Sequence, residues 1–554
     1  MSQTLTEERS ISIKTDDDAA TDRDAASSQT GRPQQEFETE DEPLDPSVED
    51  ESIYPTGRKF QIILLSMSMV LIASDMDVSI VSVSIPAITN HFHTMADVGW
   101  YSAAYRLAKC SFQFLFGKLY KMFSLKWVFL ISIAISLLGS VLCSAASTSA
   151  MFVLGRAICG LAGAGITSGC YALLVQSLPL RKRPMYASIL AAMEGVSTVS
   201  APTIGGVIVE KINWRWCFAL PGLLGMVTLI IMTVLLEDVQ IPEQTSLKQK
   251  VKELDIIGNL VFLPSLTCLF TALSLAGTKY PWNSPIIIAM FCLFAFLLTI
   301  FGIDQWLKGE TATLPPRVLK NRSVLSALAY SLCCNSTMNV VEYYLPTYFQ
   351  VMRGYSPTRS GLLMFPIIIG MLLSMLMQGF GVRAFGYYVP FMLAGSILMP
   401  IFSGLMTTLT VTTALSTVIV YSGFFGAAIG IGFQAPQVAV QNTLPAKDVH
   451  TGLAIILFAQ NFGPAISVAL AQSIFQNKLA DNVGDILPDM GQAKIANTGL
   501  GDWRDLVGPQ KLDELLGAFD LSLMQTWYLA VGLACTTVIG SSTMQWRSVK
   551  KKRT

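Results

Sequence analysis

Runs of about 20 apolar residues, each bounded by charge, proline or glycine, return again and again along this chain, and a helix of that length crosses roughly 30 Å of hydrocarbon. Fourteen such runs are legible. Six come first, over residues 60–85, 98–119, 127–146, 151–174, 186–209 and 216–236. Two follow at 256–276 and 285–306, and six more at 324–349, 361–380, 387–406, 414–433, 451–475 and 521–544. With 52% apolar and 14% charged residues among 554, the composition suits a chain surrounded by lipid, so the expected fold class is all-α integral membrane. No phosphate-binding loop with Lys and Ser or Thr is present and no cofactor motif stands out, which argues against an enzyme and against ATP-driven transport. No cofactor and no nucleic-acid partner are expected.

The first fifty-odd residues are rich in Ser, Thr, Asp, Glu and Gln and poor in branched apolar side chains, a composition that cannot offset chain entropy by burial. A disordered acidic tail is expected there. No short apolar run with a cleavage site precedes it, so the first span is expected to direct insertion. Lys118, Lys121 and Lys126, then Arg181, Lys182 and Arg183, then Lys248, Lys250 and Lys252 fall in alternate loops, and Arg547, Lys550, Lys551, Lys552 and Arg553 close the chain. Because positive loops stay inside, both termini are expected in the cytoplasm. The ten cysteines lie within apolar runs without metal or disulfide spacing, and His91 with His93 lacks further ligands. No metal site is expected.

Ionised side chains in hydrocarbon cost at least a few kcal/mol, so Asp75, Asp77, Glu194, Glu342, Arg106, Lys109 and Arg156 should face an interior cavity. Counted along their spans, Asp77, Arg106, Arg156 and Glu342 share a depth about 10 to 14 Å below one boundary. A network that switches on protonation is one reading; a static pair holding helices together is the other. Asp75 and Asp77 lie about 200° apart on a helix, so they should not address one site; Asp77 is the expected participant. Ser102, Arg106, Lys109 and Gln113 form one polar stripe on the second span. Either an anion separates its two cations or Lys109 reaches water. Gly155, Gly160, Gly163, Gly165 and Gly169 suit close helix packing, and Pro202 suits a bend or hinge. Tyr343, Tyr344, Tyr348 and Phe349 suit either a planar substrate or interfacial anchoring.

Several stretches resemble the major facilitator superfamily. GKLYKMFSLK from Gly117 is similar to its inner-loop signature, with Gly117, Lys121 and Lys126 in the loop, although Lys121 departs from the usual residues near the Asp and Ser124 takes the second Gly. LGRAICGLAGAG from Leu154 resembles the motif centred on an intramembrane Arg, here Arg156, with Cys159 for a frequent Gln. Ala201, Pro202, Gly205 and Gly206 resemble the antiporter motif, and DVSIVSVSIP from Asp77 resembles the first span of fourteen-helix drug:proton antiporters. YYLPTYFQVMRGYSP from Tyr343 and the series Gln434, Pro436, Gln441 and Gln460 look like the same branch, most similar to fungal toxin and metabolite pumps.

That resemblance implies the major facilitator fold: a six-helix bundle over 58–240, two additional transmembrane helices over 241–310 and a second six-helix bundle over 311–545 with a long outer loop at 476–520. The acidic cytoplasmic tail would be 1–57 and the basic one 546–554. It implies a monomeric, proton-coupled exporter of a small amphipathic organic molecule, in the plasma membrane rather than the vacuolar one. Asp77, Arg106, Arg156, Glu194 and Glu342 would form its ion-pair network. Lys109, Gln113, Tyr344, Tyr348, Gln434 and Gln460 would line the substrate cavity, and Pro202, Gly205 and Gly206 would act as a hinge. A carrier of basic amino acids or siderophores on the same plan, and a receptor that no longer transports, are the competing readings.

Overall fold

The computed structural model describes residues 57–92, 98–237, 254–276, 280–484 and 511–550, so the tails beyond Gly57 and Lys550, His93 and the centre of the long loop lie outside the described residues. The regular elements described are helical. They are α1 (Arg58–Ser79), α2 (Val81–Phe92), α3 (Val98–Met122), α4 (Leu125–Ser144), α5 (Ser149–Ser177), α6 (Arg183–Lys211), α7 (Trp216–Leu235), α8 (Ile256–Leu275) and α9 (Pro285–Lys308). Then come α10 (Pro316–Leu319), α11 (Arg322–Thr347), α12 (Pro357–Leu362), α13 (Phe365–Phe385), α14 (Val389–Met406), α15 (Leu415–Phe433), α16 (Ala435–Thr443), α17 (Val449–Gly484) and α18 (Leu512–Ser542).

Among the described residues, 12 helical segments are long and apolar enough to cross a membrane. Helices α3 and α8 stand at the other two expected spans. The first carries Arg106, Lys109, Lys118 and Lys121, and the second is apolar only over Ile257–Leu273. Twelve of the fourteen expected spans thus have the length and apolarity of a membrane crossing; α3 and α8 match the other two in position but not in both of these properties. Several ends differ from the apolar runs. The first run divides at Ile80 into α1 and α2. Helix α17 continues past Phe475 to Gly484, and α18 begins at Leu512, because polar residues that end a hydropathy run do not end a helix. Pro346 is the penultimate residue of α11, where it cannot donate to the ladder, and a π-helical turn over Tyr348–Met352 follows.

Helices α1, α3, α4, α5, α6 and α7 pack on one another, and so do α11, α13, α14, α15, α17 and α18. The two sets meet where α6 lies on α13 and α3 lies on α17, while α8 packs on α3, α9 and α17. Small residues permit these approaches. In α5, a β-carbon at Gly160 would run into the backbone carbonyl of Tyr105, and one at Gly155 would stand 2.7 Å from Cys143 Sγ, so the glycines of this helix serve close packing. In α15, Gly426 abuts the Ile367 carbonyl of α13 in the same way. Outward, the helices present Leu138, Val234, Leu373 and Ile539, each more than half exposed, as a bundle surrounded by lipid requires.

Between the sets, Asp255 ties the two middle helices together. It is the one described non-glycine residue with positive φ, 52°, a conformation that a short polar side chain tolerates. Its carboxylate caps α8 by accepting from Gly258 N (3.0 Å) and also accepts from Gln305 Nε2 (2.7 Å), Thr313 Oγ1 (2.8 Å), Thr313 N (3.1 Å) and the Lys308 ammonium. Burial opposes its ionisation, but these donors outweigh burial and hold the carboxyl at about 2, below its ordinary 3.8. The depressed value means that the joint is complete above about pH 4 and is lost as pH falls through about 2. Asp255→Ala should therefore cost about 3 kcal/mol, read as a lower melting temperature of the purified protein, by the same amount at about pH 7 and about pH 5. A difference already halved at the lower pH would contradict the assignment.

Candidate transport site

The charged side chains of the spans converge, but they divide into a dry pair and a more open cluster. Asp77 of α1 meets Arg156 of α5 at 2.8 Å, and the two residues are only 4% and 1% exposed. Arg156 Nε donates to Tyr101 O at 3.0 Å, and its guanidinium lies over the rings of Tyr105 and Phe218 at 4.8 and 5.8 Å. The Tyr105 hydroxyl is held in turn by Ser74 Oγ at 2.9 Å and Ser74 O at 3.2 Å. Around them, Tyr101, Phe152, Trp214 and Phe218 form an aromatic cluster with Ile80 and Ala201. This pair therefore lies within the packing of the first set of helices, the arrangement expected of a static clamp.

The second group forms around α3. Lys109, 7% exposed, lies 3.9 Å from Asp75, and Glu194 of α6 is within electrostatic reach of both. Asp75 thus supplies the negative partner that the polar stripe of α3 called for, and neither a bound anion nor an excursion of Lys109 into water is needed to explain it. Helix α1 stays regular to Ser79, so Asp75 and Asp77 diverge as their spacing predicts, the first toward Lys109 and the second toward Arg156. Arg106 feels Asp75, Arg156 and, from α11, Glu342. Among the described residues, Arg106, Glu194 and Glu342 make no ion pair within 4.0 Å. Among the charges within the spans, the Arg106–Glu342 attraction links a cation of the first set to an acid of the second, as Lys121 with Asp448 does at the basic end.

The other expected site residues are distributed as follows. Gln113, fully buried, donates to Ser168 Oγ at 2.6 Å. Tyr344 is buried against Phe475, with ring centres 5.1 Å apart. Tyr348 donates to Thr410 O at 2.9 Å and accepts from Arg353, so its hydroxyl is committed to the π-turn and its neighbouring loop. Gln434 Nε2 donates to the Tyr171 hydroxyl at 3.4 Å, and Gln460 Oε1 accepts from Gln437 at 3.3 Å. Gln437 was missed in the sequence, though its spacing of three from Gln434 and four from Gln441 marks one helix face. A β-carbon at Gly205 would press on Ile80, and Gly206 faces Val83 more loosely at 3.7 Å; α6 remains helical through residue 202.

At the end of the bundle bearing the basic loops the two sets are in contact. Phe114 of α3 meets Phe458 of α17 with centroids 4.7 Å apart, and a β-carbon at Gly117 would stand 2.7 Å from Ala454 Cβ. Lys121 lies 3.6 Å from the buried Asp448, which also accepts from Arg317 at 2.9 Å, while Lys118 donates to Thr311 O at 2.5 Å. Hydrogen bonds to Glu310, helped by Asp448, raise the Arg317 guanidinium further above its ordinary value. Lys126 is half-buried at the start of α4. His91 contacts Arg215 Nη2 at 3.3 Å, and no metal-binding group of His, Cys, Asp and Glu occurs among the described residues.

Comparison with known proteins decides the family. Residues 67–468 match the profile of the Major Facilitator Superfamily. The chain belongs to the major facilitator superfamily. It is 38% identical over 500 residues to the MFS-type efflux pump MFS1 of Arthroderma benhamiae, covering 90% of this chain and 93% of the relative. It is 36% identical over 508 residues to efflux pump aflT of Aspergillus parasiticus, covering 91% and 98%. Solved structures share the fold at low identity. The human organic anion transporter MFSD10 superposes with a TM-score of 0.56 at 12% identity over 88% of this chain and all of that one. The proton:xylose symporter XylE gives 0.57 at 13% identity over 87% and 94%. This major facilitator protein is a multi-pass membrane transporter that acts on small-molecule substrates.

The dry pair carries a measurable consequence. Arg156→Met leaves Asp77 buried without its cation and Asp77→Asn does the reverse, so each should destabilise the purified protein by about 3 to 5 kcal/mol. The double variant should recover much of that loss. Two single losses that add in the double variant would mean that the residues do not act as a pair.

Proposed function

We propose that this transporter is a proton-coupled exporter of a small amphipathic organic molecule, working by alternating access from the plasma membrane as a monomer with both termini in the cytoplasm. Two six-helix bundles, 58–240 and 311–545, move relative to each other, and the helices of 241–310 lie between them. The observation that supports this reading most is that Glu342 of α11 lies within electrostatic reach of Arg106 of α3. The acid and the cation come from different sets, in an interior where an ionised group needs a partner. When Glu342 binds a proton, the attraction across the interface ends and Arg106 is left to Asp75. Asp75, Lys109 and Glu194 then balance the remaining charge on the first bundle, while Asp77 and Arg156 keep that bundle rigid. The relatives named efflux pumps support export as the direction of transport.

In the conformation described, contacts of Phe114 with Phe458 and of Lys121 with Asp448 close the basic end. With the positive loops in the cytoplasm, this is the arrangement with the inner side shut. Cargo would enter after those contacts break and leave after they re-form. Proteoliposomes loaded with a fluorescent drug or fungal metabolite should transport it when a proton gradient is imposed, and a protonophore should abolish that transport. Glu342→Gln should lose the dependence on the gradient by about tenfold or more yet retain exchange of labelled for unlabelled cargo. Equal gradient dependence in the variant and the wild type would remove Glu342 from coupling. Transport that ignores the protonophore in the wild type would make the protein a facilitator.

A further inference from the structure

Gln434, the residue that precedes the short helix α16, and Gln437 and Gln441 within it stand at positions i, i+3 and i+7, on one face, and all three are at least nine-tenths buried. Gln434 N donates to Gln378 Oε1 at 3.3 Å, and its side-chain amide donates to the Tyr171 hydroxyl at 3.4 Å. Gln437 donates to Gln460 at 3.3 Å. Beyond these bonds, Gln434 Oε1, Gln437 Oε1, both amide atoms of Gln441, Gln460 Nε2 and Gln378 Nε2 are buried without a hydrogen-bond partner among the described residues. More than about nine-tenths of buried polar groups in proteins are satisfied, because each exception carries the desolvation penalty of a group with nothing to bond. A concentration of exceptions on one helix face and its neighbours is poor packing material but good recognition material. The face also lies where the two bundles meet, since Tyr171 belongs to the first and the glutamines to the second.

We propose that this amide stripe is the hydrogen-bonding part of the cargo site, uncovered when the bundles separate, and that it takes a neutral molecule whose polar edge carries hydroxyl donors beside carbonyl acceptors. The unpaired set contains donors (Gln378, Gln460, Gln441 Nε2) and acceptors (Gln434, Gln437 and Gln441 Oε1), so a cargo with only one kind of group would leave half of it unmet. The partners within the stripe are amides and a phenol, all uncharged, which favours a neutral edge over an ionic one. The inference rests on the export reading for its meaning, and binding tests it separately from transport.

The probe is emodin, a hydroxylated anthraquinone, with its fully methylated ether as the partner lacking donors. Each is titrated onto the full chain in lipid nanodiscs, with quenching of tryptophan fluorescence as the readout. Wild type should bind emodin more tightly than the ether, and Gln441→Leu should weaken emodin by about tenfold while leaving the ether unchanged. Because Gln441 has no partner to lose, the variant should melt at or above the wild-type temperature, which separates recognition from misfolding. Gln441→Asn should restore part of the difference. The proposal is overturned if wild type does not bind emodin, if emodin and its ether bind equally, as they would were the amides to meet only water, or if Gln441→Leu leaves emodin binding intact. Emodin that binds in a Gln441-dependent way but is not moved by a proton gradient would instead sink the export reading and leave the subsite standing.

Discussion

An ionised side chain placed among apolar helices has to find its counter-charge inside the protein, and that requirement orders the interior of this transporter. Two helices of the first bundle, α3 and α5, bring cations inward, and acids of α1, α6 and α11 answer them. Arg156 is answered by Asp77 in an aromatic enclosure, Lys109 by Asp75 with Glu194 nearby, and Arg106 by Asp75 and, across the interface, by Glu342. The first match is dry and cannot open without exposing two bare charges. The last is longer and joins elements that pack in separate sets, so in the proposed mechanism a proton on Glu342 would release it without opening the packing of either set. Rigid within a bundle and labile between bundles is the distribution of charge that two-state movement needs.

The remaining contacts follow the same division. Within each set, glycines admit backbone against backbone, as Gly160 does at Tyr105 and Gly426 at Ile367, and such interfaces cannot slide. Between the sets, the closed end relies on rings, on one glycine at Ala454 and on charged side chains that meet at Asp448. The glutamines of α16 add a polar surface that closure leaves incompletely bonded. Closure thus combines apolar contacts with charged and amide groups that water can solvate, whereas the backbone contacts within each bundle leave no room for it.

Much of this was legible in the residues. Spans are visible because hydrocarbon thickness sets a length, and the charged stripe of α3 is visible because helical spacing aligns Arg106, Lys109 and Gln113. The divergence of Asp75 and Asp77 also followed from spacing. What did not follow was which acid faces which cation, because one helix shows its own faces but not what stands opposite. Spacing therefore sent Asp75 to a site apart from that of Asp77 without disclosing that its partner there is Lys109. Nor did hydropathy disclose that α17 runs on to Gly484, where Asn477 and Asp481 interrupt the apolar pattern without interrupting the backbone bonds. Asp255 drew no notice in the sequence, and only the meeting of α8, α9 and the following turn shows why it is there.

The account holds that the charge of Glu342 governs parting of the bundles at the basic end. Spin labels at Arg181→Cys and Lys447→Cys, both exposed there and on opposite sides of the interface, would report it in a background lacking the exposed Cys292 and Cys535. Pulsed electron paramagnetic resonance should show one short distance in the wild type at high pH. A longer population should appear on acidification, and Glu342→Gln should show it at every pH. A single distance distribution, unchanged by pH and by Glu342→Gln, would contradict the account.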